Sequence, residues 1–348
     1  MNSRNPTADL LKGVAVVLMI QVHLFEQFAA LGLSHSTIGK ISLFLGGPPA
    51  APVFLAVMGF FLARSRKTAL QHIHRGLLLI LGGLMLNLGL NANLLYSIHH
   101  GRFQLDPLPF IFGADILPLA GLSIIVVGML RRLLKDNALA YFSAASVVAI
   151  VAPMLAKFET DPLAMYVVPF FWGDQWWSYF PLFPWLAYVL LGVALGTAPT
   201  IFIAFESISV WKKLPAFLVL IGALLATLPY ATQSITELSS YYHHGILLFL
   251  WVLGFLTLWV FVFSNLESSF GNSAVFHFIK WLGRHVTSAY VFQWLIIGNL
   301  ATELYRTQSL VQVLIWFVTI LCATSLLVAA FKKLRGKISH PQIQSPTN

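Results

Sequence analysis

The chain has 348 residues, of which 58% are hydrophobic and only 9% charged, with a formal net charge of +9. So few charged side chains cannot cover the surface of a soluble fold of this size, which excludes a water-soluble domain and points to a polytopic membrane protein. No basic stripe with interleaved aromatics stands clear of the apolar segments, so the positive charge does not point to nucleic acid.

In chain order, apolar runs cover residues 9–31, 49–65, 75–97, 109–131, 138–157, 181–198, 211–230, 245–264, 284–302 and 309–331. Judged against the roughly 20 residues that a membrane helix needs, they predict about ten spans and an all-α fold around a central pore. The second run is short and follows "GGPPAAP", which predicts a broken or re-entrant approach. No segment between runs is long enough for a soluble domain, so 1–331 reads as one membrane domain and 332–348, "KKLRGKISHPQIQSPTN", as a disordered cytoplasmic tail. Met1 to Asp9 holds no cleavable signal pattern, so the first span is expected to serve as its own insertion signal. The single cysteine, Cys322, lies in an apolar run and excludes a disulfide framework, and no repeat suggests the inverted halves of a transporter.

Of the 21 Lys and Arg, 17 fall on one side of the ten-span arrangement, leaving Lys40, Arg102, Lys157 and Arg306 on the other. That asymmetry predicts cytoplasmic N- and C-termini and an outward-facing segment at 158–180. The expected location is a plasma membrane, of the bacterial inner-membrane type.

The first run carries polar groups on one face. A helix turns 100° and rises 1.5 Å per residue, so Asp9, Lys12, Val16, Met19, His23 and Glu26 share a stripe, with Lys12 and His23 roughly 16 Å apart. A charge facing hydrocarbon costs at least about 2.5 kcal/mol, so this face should line protein or a water-filled cavity. Asp9 and Lys12 lie near enough to the end to reach the headgroups. His23, deep in the run with Gln21 and Glu26 beside it, is the stronger functional candidate.

Asp9, then Lys12 and Gly13, Met19 and His23 resemble the first-helix signature of the transmembrane acyltransferase superfamily. There an Asp is followed three residues on by Arg, then Gly, and fourteen residues on by His. "APVFLAVMGFFLARS", centred on Gly59, and "DILPLAGLSIIVVGMLRRL" resemble later motifs of the superfamily. "FPLFPWLAYVLLGVALG" is similar to the branch of heparan-alpha-glucosaminide N-acetyltransferase-like proteins, related to acyltransferase family 3. "LGRHVTSAYVFQW" is similar to a late-span motif of the wider group. Two positions depart from the pattern: Lys12 stands where Arg is usual and loses its bidentate phosphate geometry, and Gln293 stands where many relatives of the sister branch have His.

The resemblance implies transfer of an acyl group, commonly acetyl from cytoplasmic acetyl-CoA as co-substrate with no tightly bound cofactor, to a hydroxyl or amine of an extracytoplasmic carbohydrate or glycolipid. CoA is too polar to cross the bilayer, so both substrates would meet in a pore. His23 could act there as general base or as acyl carrier. Such an imidazole wants a carboxylate partner. Glu26 lies one turn away, and Asp115, about 24 Å in helical rise from Arg131, reaches a depth similar to that of His23, although an Asp there could equally cap its helix.

For the donor, Lys12, Arg64, Arg66 and Arg75 could neutralise the CoA phosphates, although each also serves as a topology signal. Asn87, the deepest of Asn87, Asn91 and Asn93, would need a partner and joins the donor set. His72 and His74 in "QHIHRG" lack the companions of a metal site. For the acceptor, "FFWGDQWWSYFPLFPW" offers Asp174, Trp176 and Trp177, and "YYHH" offers His243 and His244, in places where interfacial aromatics also occur for purely membrane reasons. The lipid bilayer is the remaining partner, and self-association is compatible with the sequence. The readings from other classes are a secondary transporter with His23, Glu26 and Asp115 as an ion relay, and a membrane protein that keeps the fold without activity, for which Lys12 and Gln293 are the only hints.

Overall fold

A computed structural model describes residues 5–158, 161, 164–198 and 210–339. All its regular elements are helical. They are α1 (Pro6–Phe28), α2 (Leu31–Ser34), α3 (Thr37–Gly46), α4 (Ala51–Ala63), α5 (Ala69–Leu90), α6 (Ala92–His99), α7 (Leu108–Ile111), α8 (Ile116–Leu134), α9 (Ala138–Leu155), α10 (Leu182–Thr197), α11 (Val210–Ala226), α12 (Leu228–Thr236), α13 (Leu238–Tyr242), α14 (Ile246–Phe270), α15 (Ala274–Arg284), α16 (Val286–Leu304) and α17 (Leu310–Ser339). The start signals are local. Asn5 caps α1 ahead of Pro6, Thr68 and Gln71 form a reciprocal capping box on α5, and Ser36, Asn137 and Ser273 cap α3, α9 and α15.

Each of the ten apolar runs corresponds to a helix, and the chain is an all-α polytopic membrane protein. Among the described residues seven segments are long and apolar enough to cross a membrane, and an eighth counts if α11 and α12, bent by 57°, form one broken span. The expected tenfold count differs because two helices are unlike lipid-facing spans. α10 has 16 residues, nearly all buried by its neighbours, and α16 carries Gln293, Asn299 and Thr302. The "GGPP" break falls between α3 and α4, which together make one 27-residue span, Thr37–Ala63, so the second span begins earlier than the apolar run suggested. α17 runs on to Ser339, through the first part of the expected tail, and 340–348 lie outside the described residues.

Small residues let the helices approach closely, as packing in lipid demands. A Cβ on Gly59 of α4 would overlap the carbonyl of Val189, and one on Gly192 of α10 the carbonyl of Ala56. The same reciprocal contact joins α1 to α15, where Gly13 abuts the backbone of Ile279 and Gly283 that of Asp9. α1 also packs on α3, α4, α14, α16 and α17, so its polar stripe is enclosed by protein.

The three asparagines of "NLGLNAN" tie the far end together. Asn87 donates to the carbonyls of Ile111 (3.1 Å) and Gly113 (2.9 Å), and Asn91 to that of Phe110 (3.0 Å). Asn93 of α6 donates two hydrogen bonds to Asn299 of α16, from its backbone N–H to the side-chain oxygen and from its Nδ2 to the carbonyl. At the opposite, basic end, Arg131 donates to the carbonyls of Leu62, Ala63 and Ser65 and so closes the C-terminus of α4.

Candidate active site

The last third of α1, the start of α8, the middle of α16 and the loops around 103–113 and 176–180 enclose a cavity of about 580 Å³. His23, Glu26 and Asp115 all line it, with Asn87, Tyr179, Tyr242, Tyr290 and Trp294. His23 and Asp115, expected at similar depth, line the same space, and the α1 stripe from Met19 through His23 to Glu26 faces it.

Each polar group is held differently. The His23 ring packs against Trp294 in a tilted pair, with centroids 4.1 Å apart and planes at 33°. Its Nδ1 is buried without a hydrogen-bond partner among the described residues. Asp115 caps α8, accepting from the Ile116 N–H at 2.6 Å through Oδ1, while Oδ2 accepts from the Tyr290 hydroxyl at 2.6 Å. The capping and cavity roles of Asp115 are thus carried by two oxygens of one carboxylate. Its loop is clamped by backbone bonds from Ala114 N–H to Trp177 C=O (2.8 Å) and from Phe180 N–H to Ala114 C=O (2.7 Å). Glu26 lies within electrostatic reach of Asp115. Two carboxyl groups and a histidine in one enclosure, with no Lys or Arg among its lining residues, make a site that can take up and hold a proton.

The remaining candidates are spread through the fold. Lys12 pairs with Asp9 (2.8 Å) and lies 5.7 Å from the ring of Phe61, and Arg64 sits 4.1 Å over the ring of Phe60 at the end of α4. Arg66 and Arg75 are exposed. None of these four lines the His23 cavity, whereas Asn87 does, so the structure parts Asn87 from the cations with which it was grouped. Asn87 has found its partners in the carbonyls of the 111–113 turn.

On the acceptor side, Trp176 lines the cavity and is 55% exposed, whereas Trp177 is buried and packs on Tyr166. Asp174 is exposed and lies near enough to His243 to act on its charge. His243 is held below the usual histidine range by burial, a shift that its hydrogen bond to the Ser239 carbonyl and then the charge of Asp174 partly offset. His244 is a packing residue: its Nδ1 meets the Tyr241 carbonyl at 2.7 Å and its Nε2 the Tyr188 hydroxyl at 2.8 Å. Burial pushes its pKa down to about 4, so it is neutral at physiological pH.

Sequence reasoning missed Tyr290 and Trp294. They stand four residues apart on one face of α16, in the quoted "SAYVFQW", and that spacing was available as a signal. Gln293, the position between them that departs from the motif, is fully buried and does not line the cavity.

The profile of the family described as heparan-alpha-glucosaminide N-acetyltransferase, catalytic, matches residues 4–223, more than half of the chain. The chain belongs to this family. No curated protein and no solved structure matches it. The segment matched to the heparan-alpha-glucosaminide N-acetyltransferase family contains His23, Glu26, Asn87 and Asp115, so three groups of the cavity with acid–base capability fall inside it, while Tyr290 and Trp294 lie beyond. The protein is accordingly an integral membrane protein of an acetyltransferase family.

Proposed function

We propose that the protein transfers an acetyl group from cytoplasmic acetyl-CoA to a hydroxyl or amine of an extracytoplasmic carbohydrate or lipid-linked sugar, with His23 at the reacting centre. The observation that carries this reading is the meeting of His23, Asp115 and Glu26 in one cavity inside a membrane bundle of an acetyltransferase family.

In this reaction the acceptor oxygen or nitrogen attacks the thioester carbonyl, its proton passes to His23, the C–S bond breaks and the CoA thiolate leaves to be protonated. The tilted contact with Trp294 holds the imidazole ring while its charge changes. Asp115, fixed by Tyr290 and the Ile116 N–H, presents its carboxylate to the cavity that His23 lines, and Glu26 lines the same space. Trp176 and Tyr179 offer rings on which a sugar can stack, and the CoA phosphates would stay at the basic end, where Lys12, Arg64, Arg66 and Arg75 lie on the positive-inside orientation. Asp174, Trp177, His243 and His244 lie off the cavity lining and act, in this reading, through the shape of the acceptor loops.

Radiolabelled acetyl-CoA with purified protein and a panel of amino sugars, neutral oligosaccharides and glycolipids tests the reading. Acetyl transfer that vanishes in His23→Ala while acetyl-CoA still raises the melting temperature is the expected result. Full transfer by His23→Ala removes the residue from the centre, and an acetyl group trapped on His23 shows that it carries the group covalently.

A further inference from the structure

Asn87 and Asn91 stand one turn apart at the end of α5, and both line the His23 cavity. Each side-chain nitrogen has both its hydrogens engaged. Asn87 donates to the carbonyls of Ile111 and Gly113, and Asn91 to those of Phe110 and Asn87. Three of these four carbonyls belong to the C-terminal end of α7 and the turn after it, where helix geometry leaves carbonyls without partners. Both amides are thereby fixed in one orientation, because turning either round would set oxygen against oxygen. The two Oδ1 atoms accept no hydrogen bond among the described residues, and neither is sealed off from the space that its residue lines.

The surroundings limit what can complete these oxygens. An amide oxygen accepts and cannot donate, so its partner must bring an O–H or N–H. The cavity lining adds the carboxyl groups of Glu26 and Asp115 and no Lys or Arg, so a phosphate, sulfate or carboxylate bound there would meet like charge and no counterion. Phe110, whose carbonyl takes the Asn91 amide, meets Trp176 edge-on at 5.3 Å and so holds a half-exposed indole at the same end of the cavity. Gly113, held by Asn87, comes two residues before Asp115, which ties the pair to the reacting end. An uncharged ring with hydroxyl groups along its edge and an apolar face meets all of these conditions.

We infer that Asn87 and Asn91 form the acceptor-recognition pair of the cavity, each taking a hydroxyl hydrogen from the sugar that receives the acetyl group, and that the sugar ring bound there carries no anionic substituent. This rests on the reading of the protein as an acetyl-CoA-dependent sugar acetyltransferase. Asn87 then serves the acceptor, not the CoA phosphates with which the sequence grouped it. An acceptor lacking the matching hydroxyl leaves an amide oxygen unpaired in an enclosed site, so discrimination exceeds the worth of the bond alone.

The test uses purified full-length protein, acetyl-CoA and the methyl glycosides of glucose, galactose, glucosamine and galactosamine. The acetylated position is read from the product, and the best acceptor is compared with its deoxy analogues and its phosphate and sulfate esters at the non-reacting positions. Removal of one such hydroxyl is expected to lower kcat/KM by about tenfold or more. In Asn87→Ala or Asn91→Ala that loss is expected to shrink to about threefold or less, since analogue and variant remove the same contact. The phosphate and sulfate esters are expected to be acetylated about tenfold more slowly than the parent sugar, or slower still. A purely structural role for the two residues would slow every sugar alike and leave the deoxy losses unchanged, which overturns the assignment. Equal use of the anionic esters overturns the exclusion of charge. A melting shift with acetyl-CoA but no sugar acetylated overturns the sugar subsite and leaves the donor half of the reading standing, whereas absence of both overturns the reading itself. Should Asn87→Ala fail to fold, Asn91→Ala, at the half-buried end of the helix, decides.

Discussion

Replacing Tyr290 by Phe removes one hydroxyl and leaves the ring in place. That hydroxyl donates a 2.6 Å hydrogen bond to Oδ2 of Asp115, the carboxylate oxygen not taken up by the Ile116 N–H. A hydrogen bond to a charged group is worth about 1.5–3 kcal/mol. The Ile116 N–H still anchors Asp115, and cavity water can reach the freed oxygen, so the cost to folding should be small. The cost to reaction should not be, because the carboxylate loses the bond that directs it within the cavity. If the full bond energy is lost in the transition state, kcat/KM for acetyl transfer falls about 10- to 150-fold. Steady-state kinetics with acetyl-CoA measure this, with the melting temperature as the check on folding. In an Asp115→Asn background the further loss from Tyr290→Phe should shrink severalfold, since the two changes remove the same interaction. Transfer within twofold of the unsubstituted protein would refute the coupling of Tyr290 and Asp115 to the reaction.

Gly283→Ala should lower the melting temperature in detergent, with a cost of about 1–3 kcal/mol or more, because its Cβ would overlap the Asp9 carbonyl and force α15 off α1; Gly82→Ala, at a glycine with open space around it, serves as the tolerated control. His244 has a folded pKa of about 4 against about 6.5 when unfolded, so its contribution is fully present above pH 6.5 and is lost as pH falls toward 4, on the order of 3 kcal/mol. The melting temperature should therefore fall between pH 7 and 4 in the parent, and fall less in His244→Asn. A reporter fused after Lys337 should read as cytoplasmic, as the distribution of Lys and Arg requires; an exported reporter contradicts the proposed orientation.

The sequence by itself determined the solvent, the all-α class of fold and where the apolar helices lie, though not how many of them span, because apolar runs of membrane length are a local property that any single-chain reading can measure. The stripe of Met19, His23 and Glu26 was equally legible, since residues three and four apart on a helix share a face whatever surrounds them. That Asp115 comes to the same space could be reckoned from helical rise, but its double engagement could not: the Tyr290 hydroxyl arrives from a position 175 residues later. Asn87 shows the same limit. Its need for a partner was evident from its depth, yet the partners are carbonyls of a turn that only tertiary contact brings to α5. The buried state of α10 was likewise invisible, because an apolar 16-residue helix reads alike whether its neighbours are lipid or other helices, and only the glycine contacts with α4 decide which. Tertiary structure alone decided that His23, Glu26, Asp115, Tyr290 and Trp294 share one cavity while the basic residues stay outside its lining, because a cavity exists only where the packing of several distant segments leaves one.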